Sequence, residues 1–445
     1  MSEPIISVSG LRGIVGESLT PEVVRRYVGA FALELPPGAV VLGRDGRTSG
    51  PEISRVVADA LTAAGRDVLD ADVAATPTIG VLVRQHRAAG GVQISASHNP
   101  AEYNGLKLFG DDGRVIPAAR GERVLANYRA VKCATSQSSG AVNDIEDTSS
   151  AHLKLIRTVV DFDSIRRRKF RVLLDANRGS GSVLGVPLLQ ALGCKGITLG
   201  ETPDGHFEHL PEPTAENLRG VAAQVASGGY DVGFCQDPDA DRLALIDERG
   251  RYIGEELTLA ICVEHQLRHA VGPIVTNCST SRVNQDLAER AGAPFSTSAV
   301  GEANVVDEML RVGAVLGGEG NGGVIHPRVG YVRDSFVGMA MVLAALAERG
   351  LPLSAAADAL PRYELFKGKV ALSRERLEGA MEGLIAAFPE GLVSRPDGVR
   401  LDFPDGWLLV RGSNTEPIVR IFAEAPTAEL ANERGARAIG ILGYA

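Results

Sequence analysis

Short β-branched runs alternate along the chain with longer stretches in which apolar residues return every three or four positions, and the pairing occurs three times. AVVLGRDGRTSG (39–50), FRVLLDANRGSG (170–181) and PIVTNCSTSR (273–282) each lead from an apolar run into a polar turn. After each turn the spacing becomes that of an amphipathic helix, predicted over 51–64, 182–192 and 283–291. RDVLDAD, CKGITLG and PFSTSAV then read as strands. Strand, turn, helix and strand repeated in this way predict three similar α/β domains with mixed sheets. The chain from 366 to 445 breaks the rhythm and reads as helix (374–387), hairpin (399–422) and helix (428–441), a small α+β domain.

The Ser-, Thr- and acid-rich segment 133–153 places the first boundary near 150, the turn DERGR the second near 250, and the Pro- and Ala-rich segment 350–362 the third near 365. The expected domains are therefore 1–150, 151–250, 251–365 and 366–445. The apolar stretch Phe336 to Leu346 is too short to span a bilayer and predicts a buried helix.

A hydrophobic content of 44% and a charged content of 23% are those of a soluble globular protein. A net charge of −9 argues against nucleic acid, whose phosphates call for clustered Lys and Arg. The basic runs Arg84 to Arg87 and Arg166 to Lys169 read as solvated faces. Five widely spaced cysteines without a C-x-x-C suit reduced thiols, and MSEPIISVSG lacks the basic and apolar regions of a signal peptide, so a cytoplasmic protein is expected, with no membrane partner.

Four segments carry candidate chemistry. SASHNP (95–100) follows the apolar run Gly90 to Ile94 and precedes YNGLK (103–107), which reads as a Gly-containing loop. A serine at a strand end, beside His98 and within reach of Lys107, is a candidate carrier of a covalent group; a helix-capping turn is the competing reading. DPDADR (237–242) sets carboxylates at i, i+2 and i+4, which in an extended loop project to one side. Their repulsion calls for a cation, and ligands that are all oxygen favour Mg²⁺. An EF-hand is excluded, since its sixth position would be Arg242 rather than Gly. RGSNTEP (411–417) lies between two apolar strands and offers a guanidinium, hydroxyls and backbone N–H groups suited to a phosphate dianion. GGEGNGG (317–323) isolates a Glu and an Asn among glycines, as a loop that approaches a ligand closely would.

In this order the four segments resemble those of the α-D-phosphohexomutase family, and the resemblance covers essentially the whole chain. It implies the family's four-domain architecture and a reaction that moves phosphate between the C1 and C6 hydroxyls of a hexose or hexosamine phosphate. It implies that Ser97 is phosphorylated, that Asp237, Asp239 and Asp241 hold Mg²⁺ with a phosphoserine oxygen, and that a hexose 1,6-bisphosphate is the intermediate and activator. Glu319 and Asn321, with Glu302 of VGEAN, would read sugar hydroxyls. Arg411, Ser413, Asn414, Thr415 and Arg420 would bind the non-reacting phosphate. Arg12, Arg44, Arg47, His98, Lys107 and Arg242 fall at positions that the family places in the cleft, with Lys107 the first choice of general base. Many relatives end the sugar loop in Gly-His, where this chain has Gly322-Gly323. The serine loop and the paired GEAN and EGNGG loops look most like phosphoglucosamine mutases of the archaeal type, with mannose or glucose phosphate as the alternative substrate. A metal-dependent phosphomonoesterase is the alternative of another class, and a monomer and a homodimer both remain open.

Overall fold

The computed structural model describes residues 4–7, 10–372, 374–412 and 418–444. Its backbone divides into two compact units, Met1–His265 with Asn321–Ala357, and Gln266–Gly320 with Asp358–Ala445.

The first unit holds two sheets. In the larger, strand order runs Ile5–Ser7, Gly10–Ile14, Tyr103–Phe109, Gly90–Ile94, Val40–Arg44, Val68–Val73, Val142–Asp144. The last four strands are parallel and the first three pair antiparallel, so the sheet is mixed. Gly90–Ile94 is buried along its whole length, as an apolar central strand covered on both faces should be. Helix Pro21–Ala32 begins where Thr20 Oγ1 accepts from the Val23 N–H, with proline at the first turn, and buries Val24, Tyr27, Val28 and Phe31. The second sheet runs Leu243–Asp247, Val232–Gln236, Arg171–Asp175, Lys195–Leu199, with only the first pair antiparallel. Helix Ser335–Arg349 is the buried helix expected from its composition: every residue from Ser335 to Leu346 is buried, and Asp334 caps its N-terminus.

The second unit contains the parallel strands Phe295–Ser298, Ile274–Asn277 and Leu316–Glu319. It also contains an antiparallel sheet of order Glu364–Ala371, Ile418–Ala425, Gly406–Gly412, Val399–Phe403, Leu392–Ser394. The helices expected at 374–387 and 428–441 are found as Arg374–Ala387 and Ala428–Tyr444. The segment read as one hairpin is wider, with three strands of this five-stranded sheet between Val399 and Ala425.

Two local expectations are corrected. YNGLK is not a loop but the start of strand Tyr103–Phe109, paired with Gly10–Ile14 on one side and Gly90–Ile94 on the other. Gly105 permits this close approach: a Cβ there would lie 2.4 Å from the Leu11 carbonyl and 2.8 Å from that of Ser95. GGEGNGG is only partly a loop, because Gly317, Gly318 and Glu319 close strand Leu316–Glu319. Among the described residues no helix is long and apolar enough to cross a membrane. The five cysteines are free thiols, with Cys235, Cys262 and Cys278 buried.

Candidate active site

Strand Gly90–Ile94 delivers Ser97 into a tight turn at its carboxyl end. Ser97 takes φ +52°, the left-handed region that costs a non-glycine residue roughly 1–2 kcal/mol. It is fully buried, and its N–H donates to Ser95 Oγ at 2.8 Å. Ser97 Oγ donates to Asp237 Oδ2 at 2.7 Å and lies 3.3 Å from His98 Nδ1. Burial, followed by the positive charges of Arg242 and Arg12, pushes the His98 pKa down to about 3. The imidazole beside the serine is therefore neutral at physiological pH and adds no charge of its own.

DPDADR leaves strand Val232–Gln236 as a turn, not as the extended loop expected, with Ala240 at φ +55°. The turn still gathers the three aspartates: all are fully buried, and one oxygen from each lies within 4.8 Å of the others. Asp237 Oδ1 accepts from the N–H groups of Asp241 and Arg242 at 3.2 and 3.1 Å, which locks the turn. Lys107 Nζ donates to Asp239 Oδ2 and to Asp241 Oδ2, both at 2.6 Å. Thr76 Oγ1 reaches Asp239 Oδ2 at 2.5 Å, and Arg333 Nη2 reaches Asp241 Oδ2 at 2.6 Å. Arg242 Nε stands 4.0 Å from Asp237 and 3.9 Å from Asp241.

The electrostatics divide the trio. Burial raises the Asp237 carboxyl well above the usual carboxylate range, and the neighbouring charges of Asp239 and Asp241 add to this. Burial also acts to raise Asp239 and Asp241. There it is outweighed, by Lys107 and Thr76 at Asp239 and by Arg333, Lys107 and Arg242 at Asp241, so both lie below their ordinary value. Asp239 Oδ1 and Asp241 Oδ1 are buried and accept no hydrogen bond, an arrangement that costs about 1–3 kcal/mol per group unless something else occupies the position. Two orphaned carboxylate oxygens beside a third carboxylate and a serine hydroxyl are the donor set of a hard divalent cation. The residues present thus fit Mg²⁺, with Asp237, Asp239, Asp241 and Ser97 able to hold it.

Arg12, on strand Gly10–Ile14, donates to Asn99 Oδ1 at 3.3 Å. Burial lowers its pKa, with Arg242 and Arg333 acting in the same direction against Asp239 and Asp241, so three guanidiniums share the field of this cluster. Asn321 Oδ1 accepts from the Gly323 N–H at 3.2 Å. Two further arginines expected in the cleft have partners within the protein. Arg44 is paired with Asp72 at 2.6 Å. Arg47 is buried, with its guanidinium turned inward to Asp45 and to backbone carbonyls of the serine turn, so it presents no donor to a substrate. Thr76 and Arg333 were not singled out from the sequence, and nothing near either residue signals its partner: Thr76 lies 163 positions from Asp239, and Arg333 lies 92 from Asp241.

In the second unit, Glu319 Oε1 accepts from Asn277 Nδ2 at 2.7 Å and from the Gly301 N–H at 3.1 Å, which fixes a buried carboxylate at the end of its strand. Glu302 opens helix Glu302–Val312. Arg411 pairs with Asp397 at 2.8 Å. Arg420, directly across the strand pair from Arg411, lines a cavity of about 430 Å³ with Lys367, Lys369 and Phe422. Ser413, Asn414 and Thr415 lie outside the described residues.

Family models for phosphoglucomutase/phosphomannomutase match the chain in succession: alpha/beta/alpha domain I at 5–134, domain II at 150–250, domain III at 255–363 and the C-terminal domain at 369–439. The chain belongs to this family of hexose phosphate mutases, which are isomerases. A phosphoglucomutase/phosphomannomutase from Thermococcus kodakarensis is 36% identical over 439 residues, 95% of each chain. A probable phosphoglucosamine mutase from Methanopyrus kandleri is 34% identical over 431 residues, 96% of this chain and 94% of the other. Among solved structures, a family protein from Burkholderia thailandensis superposes with a TM-score of 0.87 at 28% identity, over 99% of this chain and 98% of that one. An Aspergillus fumigatus N-acetylphosphoglucosamine mutase, solved with GlcNAc-6P and magnesium, shares the fold at a TM-score of 0.54 and 17% identity, over 94% and 98% of the two chains.

Proposed function

We propose that the protein interconverts glucosamine 6-phosphate and glucosamine 1-phosphate through a phosphorylated Ser97. The observation that carries this reading is the Ser97 hydroxyl held 2.7 Å from Asp237, in a buried cluster that also contains Asp239, Asp241 and Lys107. In the forward direction the P–Oγ bond of phosphoserine 97 breaks as a P–O bond forms to the free sugar hydroxyl, whose proton passes to a base. The product is the 1,6-bisphosphate. After the sugar turns end for end, its other phosphoryl group returns to Ser97 Oγ, which regenerates the phosphoenzyme and releases the isomer.

Asp237, Asp239 and Asp241 would hold Mg²⁺, which when bound supplies charge neutralisation to the transferring phosphoryl group. The magnesium in the Aspergillus relative supports this assignment. Arg12 and Arg242 stabilise the same developing charge, the largest contribution such chemistry offers. Lys107 lies among the carboxylates, where it exchanges a proton with the sugar hydroxyl. His98, neutral, orients the serine. Glu319, Asn321 and Glu302 read the sugar, and Arg411, Ser413, Asn414, Thr415 and Arg420 hold the remaining phosphate in either orientation. These roles divide among domains 1–150, 151–250, 251–365 and 366–445, and a cytoplasmic location goes with them.

Glucose or mannose phosphate is the second reading, favoured by the name of the Thermococcus relative. The test is phosphorus NMR of the purified protein with Mg²⁺, a trace of glucose 1,6-bisphosphate and the 6-phosphates of glucosamine, glucose and mannose in turn. Fastest appearance of glucosamine 1-phosphate is expected. Free phosphate as the only product would replace the mutase with a phosphatase, and a faster neutral sugar would move the protein to the second reading.

Arg411→Ala tests the phosphate site. Loss of one charge-assisted contact is worth about 1.5–3 kcal/mol, so KM for both isomers should rise on the order of 10- to 100-fold with kcat much less affected. An unchanged KM would remove Arg411 from the site.

A further inference from the structure

Arg47 and Ser95 close a ring of hydrogen bonds around the backbone of Ser97. The Ser97 N–H donates to Ser95 Oγ at 2.8 Å, and Ser95 Oγ donates to Asp45 Oδ2 at 2.7 Å. The same Asp45 oxygen accepts from Arg47 Nε at 3.0 Å, and Arg47 Nη2 donates to the Ser97 carbonyl at 2.7 Å. Both main-chain polar groups of the serine are thus tied to one buried ion pair. The other guanidinium bonds spread along the turn, from Nη2 to the Asn99 carbonyl at 2.6 Å and from Nη1 to those of Pro100 and Tyr103 at 2.7 and 3.0 Å.

Every nitrogen of the guanidinium is engaged, and the residue is 1% exposed. Phe207 covers the guanidinium face at 5.0 Å from the ring centroid, and Gly205 backs it so closely that a Cβ there would lie 2.6 Å from Arg47 Cα. Burying a cation in this way is costly unless its donors are all satisfied. Four carbonyls and a carboxylate meet that condition, and all four carbonyls belong to the segment that presents Ser97. Serine at φ +52° persists only where its surroundings over-determine it.

We propose that Arg47, with Asp45 and Ser95, is a positioning device that holds the Ser97 backbone in its left-handed conformation and so aims Oγ for phosphoryl transfer. Arg47 touches no substrate and acts through the turn. A lysine would not replace it, because an ammonium lacks the planar fork that spans carbonyls on both sides. The inference rests on the reading of Ser97 as the phosphoryl carrier, and the test separates the two.

Purified protein, first dephosphorylated, is mixed with glucose 1,6-bisphosphate, and the rate at which Ser97 gains a phosphoryl group is followed by intact-mass and peptide spectrometry. Steady-state kcat and KM for the hexose phosphate are measured alongside, with thermal melting as a check on folding. Arg47→Ala and Arg47→Lys should phosphorylate about 100-fold more slowly, the loss expected when a reacting group is misplaced by about 1 Å, with KM within about threefold of wild type. Added guanidinium ion at sub-denaturing concentration should restore part of the rate to Arg47→Ala and none to Arg47→Lys, whose side chain fills the site. Ser95→Ala cuts the ring at another link by removing a single oxygen, and should slow phosphorylation with the same unchanged KM even if neither arginine variant folds. Folded variants that phosphorylate at the wild-type rate, or whose KM rises as kcat falls, would overturn the inference and leave the phosphoserine reading standing. A wild-type protein that takes up phosphoryl at a residue other than Ser97 would overturn that reading itself.

Discussion

Ser97→Ala is expected to lower the interconversion of the two hexosamine phosphates by about 10⁴-fold or more, the scale on which loss of a covalent nucleophile acts, while the protein remains folded. The size follows from the proposed role, since Ser97 Oγ is the hydroxyl that donates to Asp237. The stability argument is separate and rests on local contacts. Alanine at φ +52° meets the same left-handed cost that serine already bears. The Ser97 side chain makes one short hydrogen bond, to Asp237, whose carboxyl burial already drives toward the protonated form. Removing the hydroxyl costs that one bond, and Asp237 Oδ1 keeps the N–H groups of Asp241 and Arg242. A melting temperature lowered by only a few degrees, together with the loss of both mutase turnover and label uptake from glucose 1,6-bisphosphate, is the expected pair of results. A folded variant that still interconverts the isomers would end the phosphoserine mechanism. A variant that loses mutase activity and gains steady hydrolysis of the bisphosphate would show that the site directs water once its serine is gone.

The sequence is most informative where chemistry and local geometry coincide. SASHNP and DPDADR are each contiguous, and each delivers Ser97 or the three aspartates by a single turn, so their residue types alone point to where these groups gather. Lys107, expected in a loop within reach of the serine, lies in strand Tyr103–Phe109, where Asn104 to Phe109 are all buried and leave no alternation to read, and it meets Asp239 and Asp241. The sequence does not show which way a long side chain turns. Arg44 and Arg47 flank one polar turn and read alike, yet one ends its strand and pairs with Asp72 of the neighbouring strand, and the other is drawn inward by carbonyls more than fifty positions away. Thr76 and Arg333 are invisible for a related reason, since a threonine opening a helix and an arginine before a capping aspartate have ordinary local explanations. Only the tertiary fold brings them to Asp239 and Asp241.

Asp239→Asn should abolish the response to magnesium and cost on the order of 10²–10³-fold in kcat, since a metal ion is worth several kcal/mol of transition-state charge stabilisation. The substitution preserves shape, and Asn Oδ1 still accepts from Thr76, while Lys107 and Arg333 keep Asp241. What changes is charge. Without metal, Asp239 is the second cause, after burial, of the raised Asp237 carboxyl, so the variant should bring Asp237 back toward its ordinary value. The sign of the stability effect follows from proton linkage. In metal-free wild type the folded state retains a proton on Asp237 that the unfolded chain releases. Stability therefore declines as pH rises from the ordinary carboxylate range toward the raised value. In the variant this decline should be shallower. Magnesium should separate the two proteins: at a concentration about a hundredfold above its dissociation constant it stabilises a binder by about 2.7 kcal/mol and leaves a non-binder unchanged. Melting curves at several pH values, with EDTA or with Mg²⁺, read both effects without any assay of turnover. Equal stabilisation of wild type and Asp239→Asn by Mg²⁺ would remove Asp239 from the ligand set and place the cation elsewhere. No stabilisation of either would mean that Lys107, Arg333 and Arg242 neutralise the trio without a bound cation.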